Sequence, residues 1–293
     1  MKKVKFIKMQ GCGNDFILID DREAGIPDKK KGAIARTLCR RRFSVGADGV
    51  LFLCEPSGEA YDVRMRIFNP DGSEAEMCGN GIRCFAKYVY EKGIVRTRSI
   101  KVETLAGLIV PEVEVDETGV VTSTRVFMGT PVFTRIDERF YVNEEIGELK
   151  LTSLSLGNPH AIVLLDSFEQ VDVDRVGRAI ESHKAFPNRT NVDFVVRSEK
   201  QEKKGKKENE ISVRTYERGV GETLSCGTGS TASVLALNAL GDLRKGEPVT
   251  VHTLGGDLII EIRKEGAYLT GPAEYVYEGV IELVMDPEGD WEK

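Results

Sequence analysis

Apolar residues recur along this chain with two periods, and the period assigns the elements. Phe16-Ile-Leu-Ile19, Val50-Leu-Phe-Leu53 and Ile162-Val-Leu-Leu165 are short apolar runs of strand length. Strict alternation marks Val110-Pro-Glu-Val-Glu-Val115 and Val249-Thr-Val-His-Thr253 as half-buried strands. The opening segment, Met1 to Gln10, alternates and is rich in lysine. It is expected to be an edge strand rather than the apolar stretch of a signal peptide. Helical spacing appears elsewhere. Ile82, Phe85, Ala86, Val89 and Tyr90 follow the i, i+3, i+4, i+7, i+8 pattern and stop at Gly93. A helix capped by Asp28 should carry Ile34, Leu38 and Arg42, and Val173 to Lys184 and Ser230 to Leu240 read as two more. Strands dominate, so the expected class is α+β.

The pattern occurs twice. Asp71-Gly-Ser-Glu-Ala-Glu-Met-Cys78-Gly-Asn-Gly81 and Arg218-Gly-Val-Gly-Glu-Thr-Leu-Ser-Cys226-Gly-Thr-Gly229 both end in Cys-Gly-x-Gly before an apolar helix. The stretch from Cys78 to Gly93 has the same length as that from Cys226 to Gly241. Val102-Glu-Thr-Leu-Ala-Gly107 echoes Val251-His-Thr-Leu-Gly-Gly256, and the shared Thr follows its cysteine at nearly the same spacing, Cys78 to Thr104 and Cys226 to Thr253. More loosely, Gly13-Asn-Asp-Phe16 matches Gly157-Asn-Pro-His160, with Asn14 preceding Cys78 by nearly the distance at which Asn158 precedes Cys226. Four landmarks in one order over about 100 residues argue for an internal duplication. The expected halves are 1–128 and 129–271, with 272–293 free to return as a strand to the first. Each is expected to be a curved, mostly antiparallel sheet or barrel around helices, with the active site in the cleft between them.

Composition narrows the function. The chain has 293 residues, 41% of them apolar, enough for a substantial core. With 41 Lys and Arg against 47 Asp and Glu, its net charge of −6 argues against coating nucleic acid. No apolar run approaches the roughly 20 residues a membrane helix needs. The six cysteines suit free thiols in a cytoplasmic enzyme better than a disulfide framework. The charge run Lys200 to Glu210 reads as a solvated hairpin or loop tip, because its lysines are interleaved with glutamates.

The chemistry sits at the repeated cysteines. A thiol just before a helix meets free backbone N–H groups and the positive end of the helix dipole, both of which stabilise thiolate. The same N–H groups can hold a carboxylate, and the glycines let a ligand approach the backbone. Two such thiols on opposite sides of one molecule suit inversion at a carbon stereocentre: one removes a proton from one face, and the other delivers one to the opposite face. Cysteines are ordinarily buried as small apolar side chains. That reading is applied to Cys39, Cys54 and Cys84, while Cys12, with no partner in the second half, stays open. Cys78 and Cys84 are too far apart in sequence for a zinc-type pair, and the three histidines are scattered.

These motifs resemble the diaminopimelate epimerase family over nearly the whole chain. The resemblance rests on Gly11-Cys-Gly-Asn-Asp-Phe16, Phe68-Asn-Pro-Asp-Gly-Ser73, Met77-Cys-Gly-Asn-Gly-Ile-Arg-Cys84, Gly157-Asn-Pro-His160, Tyr216-Glu-Arg-Gly-Val-Gly-Glu-Thr223 and Ser225-Cys-Gly-Thr-Gly229. It implies interconversion of LL- and meso-diaminopimelate in lysine and cell-wall precursor synthesis, without pyridoxal phosphate, another cofactor or a metal. It implies Cys78 and Cys226 as the acid and base, with His160 and Glu217 tuning their protonation. Substrate contacts are implied at Asn14, Asn69, Asn158, Asn191, Glu217 and Arg218, and at Gly79, Asn80, Gly227 and Thr228 around the reacting carboxylate. Family members are commonly homodimers, with an aromatic near the contact at the position of Tyr277. Gly49 departs from the pattern, since some members carry a polar residue there, often Gln.

Four other readings compete, one of them a non-catalytic binding module, which would incorporate no solvent deuterium. A proline or hydroxyproline racemase relative would usually carry His where this chain has Asn80. A cysteine hydrolase needs one thiol with a base rather than two matched thiols. A thiol redox protein would use the pair as a disulfide.

Overall fold

The computed structural model describes residues 2–197, 209–243 and 246–283. Most of the charge run, residues 200–208, lies outside the described residues. In chain order the strands and helices are β1 (Lys2–Gly11), β2 (Asn14–Asp20), α1 (Asp21–Ala24), α2 (Asp28–Leu38), β3 (Gly49–Cys54), β4 (Val63–Phe68), β5 (Glu74–Ala75), α3 (Gly79–Glu91), β6 (Val102–Thr104), β7 (Gly107–Ile109), β8 (Glu112–Val115) and β9 (Val121–Gly129). They continue with β10 (Val132–Asn143), β11 (Gly147–Ser155), β12 (Pro159–Leu165), α4 (Val173–Glu181), β13 (Asn191–Arg197), β14 (Glu210–Glu217), β15 (Gly221–Thr223), α5 (Gly227–Leu240), β16 (Val249–Thr253), β17 (Gly256–Arg263), β18 (Gly266–Gly271) and β19 (Glu274–Leu283). Contacts divide them into two compact units, Met1–Val126 with Pro272–Lys293, and Phe127–Gly271.

Each unit repeats one topology. The first sheet runs β19-β1-β2-β3-β4-β6-β7, with β5 added to β4. From β10 to β18 the second runs β10-β11-β12-β13-β14-β16-β17-β18, with β15 added to β14, and its order goes on to β9 and β8. Parallel neighbours occupy equivalent places, β2 with β3 and β4 with β6, then β12 with β13 and β14 with β16. A parallel pair needs a crossover. α2 and α4 lie within the first crossover of each unit, and α3 and α5 within the second. The class is α+β, as the patterning required, and among the described residues no strand pairing closes either sheet into a barrel.

In the first unit α2 and β1–β3 bury Phe6, Ile17, Ile34, Leu38, Val50 and Phe52. In the second, α4 and β10–β14 bury Phe140, Leu151, Val163, Ile180 and Phe194. Helix α4 comes so close to β14 that a Cβ on Gly177 would meet the Tyr216 side chain at 2.6 Å. Gly177 is the fifth residue of α4, as Gly32 is of α2, where the obstacle is the Gly72 carbonyl at 2.5 Å.

Expectations for four elements are corrected. β1 is not an edge strand, because β19 pairs along its free side, from Lys2–Leu283 to Gln10–Glu274. The partner comes from the far end of the chain, within the segment 272–293. Helix α2 is capped at Pro27 with no side-chain bond, Asp28 being its first residue, and it ends before Arg42, which has φ 72°. The Asp28 carboxylate instead pairs with Lys31 and Arg66. Helix α4 stops at Glu181 rather than Lys184, and α5 begins at Gly227 rather than Ser230.

One charge cluster ties β1, β2 and the loop before β3. Asp15 pairs with Lys8 at 2.7 Å and with Arg41 at 2.6 Å, and Arg41 also holds Asp48 at 2.7 Å. Burial alone would raise the Asp15 carboxyl, but Arg41 and Lys8 outweigh it and bring its pKa down to about 2. Released on unfolding, it returns to roughly 3.9. The cluster therefore stabilises the fold fully above about pH 4, and that contribution fades as pH falls towards 2. Asp15→Asn should lower the urea midpoint at pH 7 and match the parent near pH 2. A gap that persisted at pH 2 would show that the cluster acts through packing instead.

Candidate functional site

Both repeated cysteines occupy the same structural position. Cys78 is the N-cap of α3 and Cys226 the N-cap of α5, each with extended backbone. Each sulfur accepts from the backbone N–H three positions on, Gly81 at 3.5 Å and Gly229 at 3.3 Å. Ser, Thr, Asp and Asn are the usual caps. A sulfur makes a longer, weaker cap, but it gains the stabilisation that exposed N–H groups give to a thiolate. The Thr104 and Thr253 hydroxyls also repeat, donating to the carbonyls of Gly107 and Gly256 at 2.8 and 2.6 Å.

Around Cys78 the structure gathers Asn14 and Asn80. The Cys78 Sγ lies 3.9 Å from Asn14 Oδ1, which also accepts from Asn80 Nδ2 at 3.4 Å. Asn14 Nδ2 is held by Asp48 at 2.7 Å, so the Asp15–Arg41–Asp48 cluster orients this amide. Beneath them lies Arg83, fully buried. It donates to the carbonyls of Pro272 and Gly79, to Asn80 Oδ1 at 2.9 Å and to Cys12 Sγ at 3.8 Å. Asn69 Nδ2 donates to Ser73 Oγ at 3.0 Å.

Around Cys226 the gathering is more polar. Thr228 Oγ1 lies 3.4 Å from the sulfur and accepts from Asn158 Nδ2 at 3.1 Å, while Asn158 Oδ1 is buried without a partner among the described residues. Burial pushes the Cys226 thiol well above its ordinary pKa, and the carboxylates of Glu217 and Asp193 raise it further. The Thr228 hydroxyl and the Gly229 N–H pull the other way without prevailing. Glu217 accepts from Thr223 at 2.7 Å. Asn191 spends its amide on the Pro159 carbonyl and the Arg218 N–H, and Arg218 donates to the Asn188 carbonyl. Asn191 thus sets the Arg218 loop.

His160 is wholly buried, its Nδ1 2.7 Å from Asp193 Oδ2, and Thr215 donates to Asp193 Oδ1 at 2.7 Å. Asp193 and Thr215 stand outside the residues that the sequence singles out. A signal exists: Asp193 is the lone acid inside the apolar strand Asn191-Val-Asp-Phe-Val-Val196.

Gly49 pairs with Phe16 where Asn191 pairs with His160, so the two are equivalent. A Cβ at Gly49 would meet the Phe68 carbonyl at 3.1 Å, which leaves little room for a side chain there. All six cysteines are present as thiols. Burial pushes Cys39 and Cys84 up to about 12 and Cys54 up to about 11, as inert core thiols require. Among the described residues no group of three or more His, Cys, Asp or Glu side chains is placed to hold a metal ion.

Comparison with known proteins supplies the family. The model of the family described as diaminopimelate epimerase matches residues 6–134 and 152–276. The chain belongs to the diaminopimelate epimerase family. A diaminopimelate epimerase of Methanothermobacter thermautotrophicus is 47% identical over 97% of this chain and 100% of its own. That of Caldanaerobacter subterraneus is 45% identical over 96% and 100%. Solved structures share the fold at low identity. A probable proline racemase of Agrobacterium radiobacter has TM-score 0.73 and 17% identity, covering 98% of this chain and 95% of its own. A hydroxyproline epimerase of Agrobacterium vitis has TM-score 0.72 and 16% identity, covering 98% and 94%.

Thiol reactivity tests this picture. Removing the Glu217 charge favours the Cys226 thiolate, so Glu217→Gln should speed iodoacetamide labelling of Cys226 at pH 8 about tenfold, one pKa unit. Cys39 and Cys84 should stay unlabelled until the protein is unfolded. Peptide mapping by mass spectrometry reads both, and equal Cys226 labelling in the two proteins would remove Glu217 from its surroundings.

Proposed function

We propose that this protein interconverts LL- and meso-diaminopimelate by transfer of the α-proton between two cysteines. It is an isomerase of the diaminopimelate epimerase family, and the observation that carries the mechanism is the shared position of Cys78 and Cys226. Each caps a helix, each rests on a glycine N–H, and each is flanked by an asparagine that lies two positions before Phe16 or His160. One thiolate takes the α-proton, the other thiol returns one to the opposite face, and the roles exchange in the reverse direction. A Cα–H next to a carboxylate is a weak acid, so carbanion charge needs nearby donors. The N–H groups of Gly79-Asn80 and Gly227-Thr228 are suited to hold that carboxylate. The raised pKa of Cys226 favours its protonated form at rest, which suits a donor. Glu217 and His160 tune the thiols.

Asn14, Asn69, Asn158, Asn191 and Arg218 are assigned to the substrate. Asn14, Asn158 and Arg218 present groups to a bound amino acid, and Asn191 acts by holding Arg218. The reaction calls on no cofactor or metal.

The protein is further assigned to the cytoplasm as a homodimer. Six thiols persist best in a reducing compartment, and no helix among the described residues is long and apolar enough to cross a membrane. Strand β19 is the outer strand of its sheet and exposes Tyr277 at 46% and Val280 at 58%, an apolar edge of the kind that pairs with another copy. Tyr277 is edge-on to Phe6, with 5.9 Å between ring centres, and lines a cavity of about 360 Å³ with Ile7, Glu91 and Tyr275.

Incubation of LL-diaminopimelate with the protein in D₂O should put deuterium on one α-carbon and yield the meso isomer without added cofactor. Cys78→Ala and Cys226→Ala should each lower epimerisation by about 10²–10⁴-fold. Full activity in either variant would refute the two-thiol route, and exchange with proline instead would move the protein to the racemase class. Tyr277→Asp should give a monomer by light scattering, and an unchanged dimer would place the contact elsewhere.

A further inference from the structure

The duplication provides an internal control for every residue at the site. Strand register makes Phe16, Leu51 and Ile67 of the first unit equivalent to His160, Asp193 and Thr215 of the second. One unit fills these positions with three apolar side chains, and the other fills them with a hydrogen-bonded polar chain. All six are buried. The fold therefore does not need polarity here, and burying an acid and an imidazole costs stability unless every group is satisfied.

One group is not satisfied. The Asp193 carboxylate can only accept, so its 2.7 Å bond to His160 places the proton on Nδ1. Thr215 donates to the other Asp193 oxygen and fixes the carboxylate. His160 Nε2 is left buried without a hydrogen-bond partner among the described residues. The network lies directly behind the Cys226 cap. Gly229, whose N–H supports the Cys226 sulfur, has no room for a Cβ, which would strike Asp193 Oδ1 and come within 2.9 Å of Thr215 Oγ1.

We propose that Asp193, held by Thr215, is a positioning residue for the proton transfer, fixing His160 as the Nδ1–H tautomer and reserving Nε2 for the reaction. This rests on the epimerase reading above, and it explains why only one of the two equivalent pockets is polar. In a free histidine side chain the Nε2–H form is preferred, so the Nδ1–H form must be imposed by a partner, and Asp193 is placed to do so.

Two-bond ¹H–¹⁵N spectra of protein labelled in its three histidines read the tautomer without reference to activity. The parent should show His160 protonated on Nδ1. Asp193→Leu, the residue found at the equivalent position, should move the proton to Nε2. It should also lower kcat about 100-fold with KM changed less than about threefold. Asp193→Asn keeps an acceptor carbonyl for Nδ1 while the Thr215 hydroxyl turns to accept its NH₂, so it should retain the tautomer and recover much of the loss. Replacing all three residues by those of the first unit (His160→Phe, Asp193→Leu, Thr215→Ile) should leave the melting temperature equal or higher and abolish α-proton exchange. The proposal is overturned if the parent carries the proton on Nε2, if Asp193→Leu leaves tautomer or kcat unchanged, or if the triple variant melts more than about 5 °C lower, which would make the network structural. Failure of the parent to exchange the α-proton would sink the epimerase reading alone, since the tautomer measurement stands apart from it.

Discussion

A sulfur at the first unsatisfied turn of a helix is the constraint on which this protein turns. The leading N–H groups of a helix have no intrahelical acceptor. In α3 and α5 the third of them is given to a cysteine rather than to the usual hydroxyl or carboxylate. That choice sacrifices some cap strength and gains a group that can carry a proton. It also sets what must surround it, namely glycines on the helix start so that the backbone stays open, and a strand beneath whose side chains set the local charge.

The two units satisfy this constraint with one topology and different chemistry. Paired arginine and glutamate residues brace both, Arg66 with Glu74 and Arg214 with Glu222, each through two bonds, at 2.7 Å in the first and at 2.5 and 2.9 Å in the second. The strand floor then diverges. Under α3 it is Phe16, Leu51 and Ile67, with a buried Arg83 on the helix itself; under α5 it is His160, Asp193 and Thr215, with Glu217 close by. Cys78 therefore lies on the side with a buried cation, and Cys226 on the side with the buried Asp193 and the half-buried Glu217. The two caps therefore share one frame while the charge around them differs.

Much of this was legible from sequence because duplication writes its landmarks twice. Cys78 and Cys226, the glycines after them and the matched helix ends at Gly93 and Gly241 follow from spacing alone, and so do the α+β class and the positions of β1, β2, β3, β8, β12 and β16. Local patterning was less reliable at element ends. Asp28 has the composition of a cap but is drawn away by Lys31 and Arg66, and Arg42 lies beyond the turn that ends α2.

What the sequence determined is the identity and order of the candidate reactive groups, because helix starts and their caps are set by residues within a few positions of one another. What only the tertiary structure decided is their environment. That β1 is covered by β19, that Asn191 serves the Arg218 loop, and that Asp193 reaches His160 from a neighbouring strand all depend on pairing between segments far apart in the chain. Strand register brings such residues together through the backbone ladder, and the ladder is blind to which side chains it aligns.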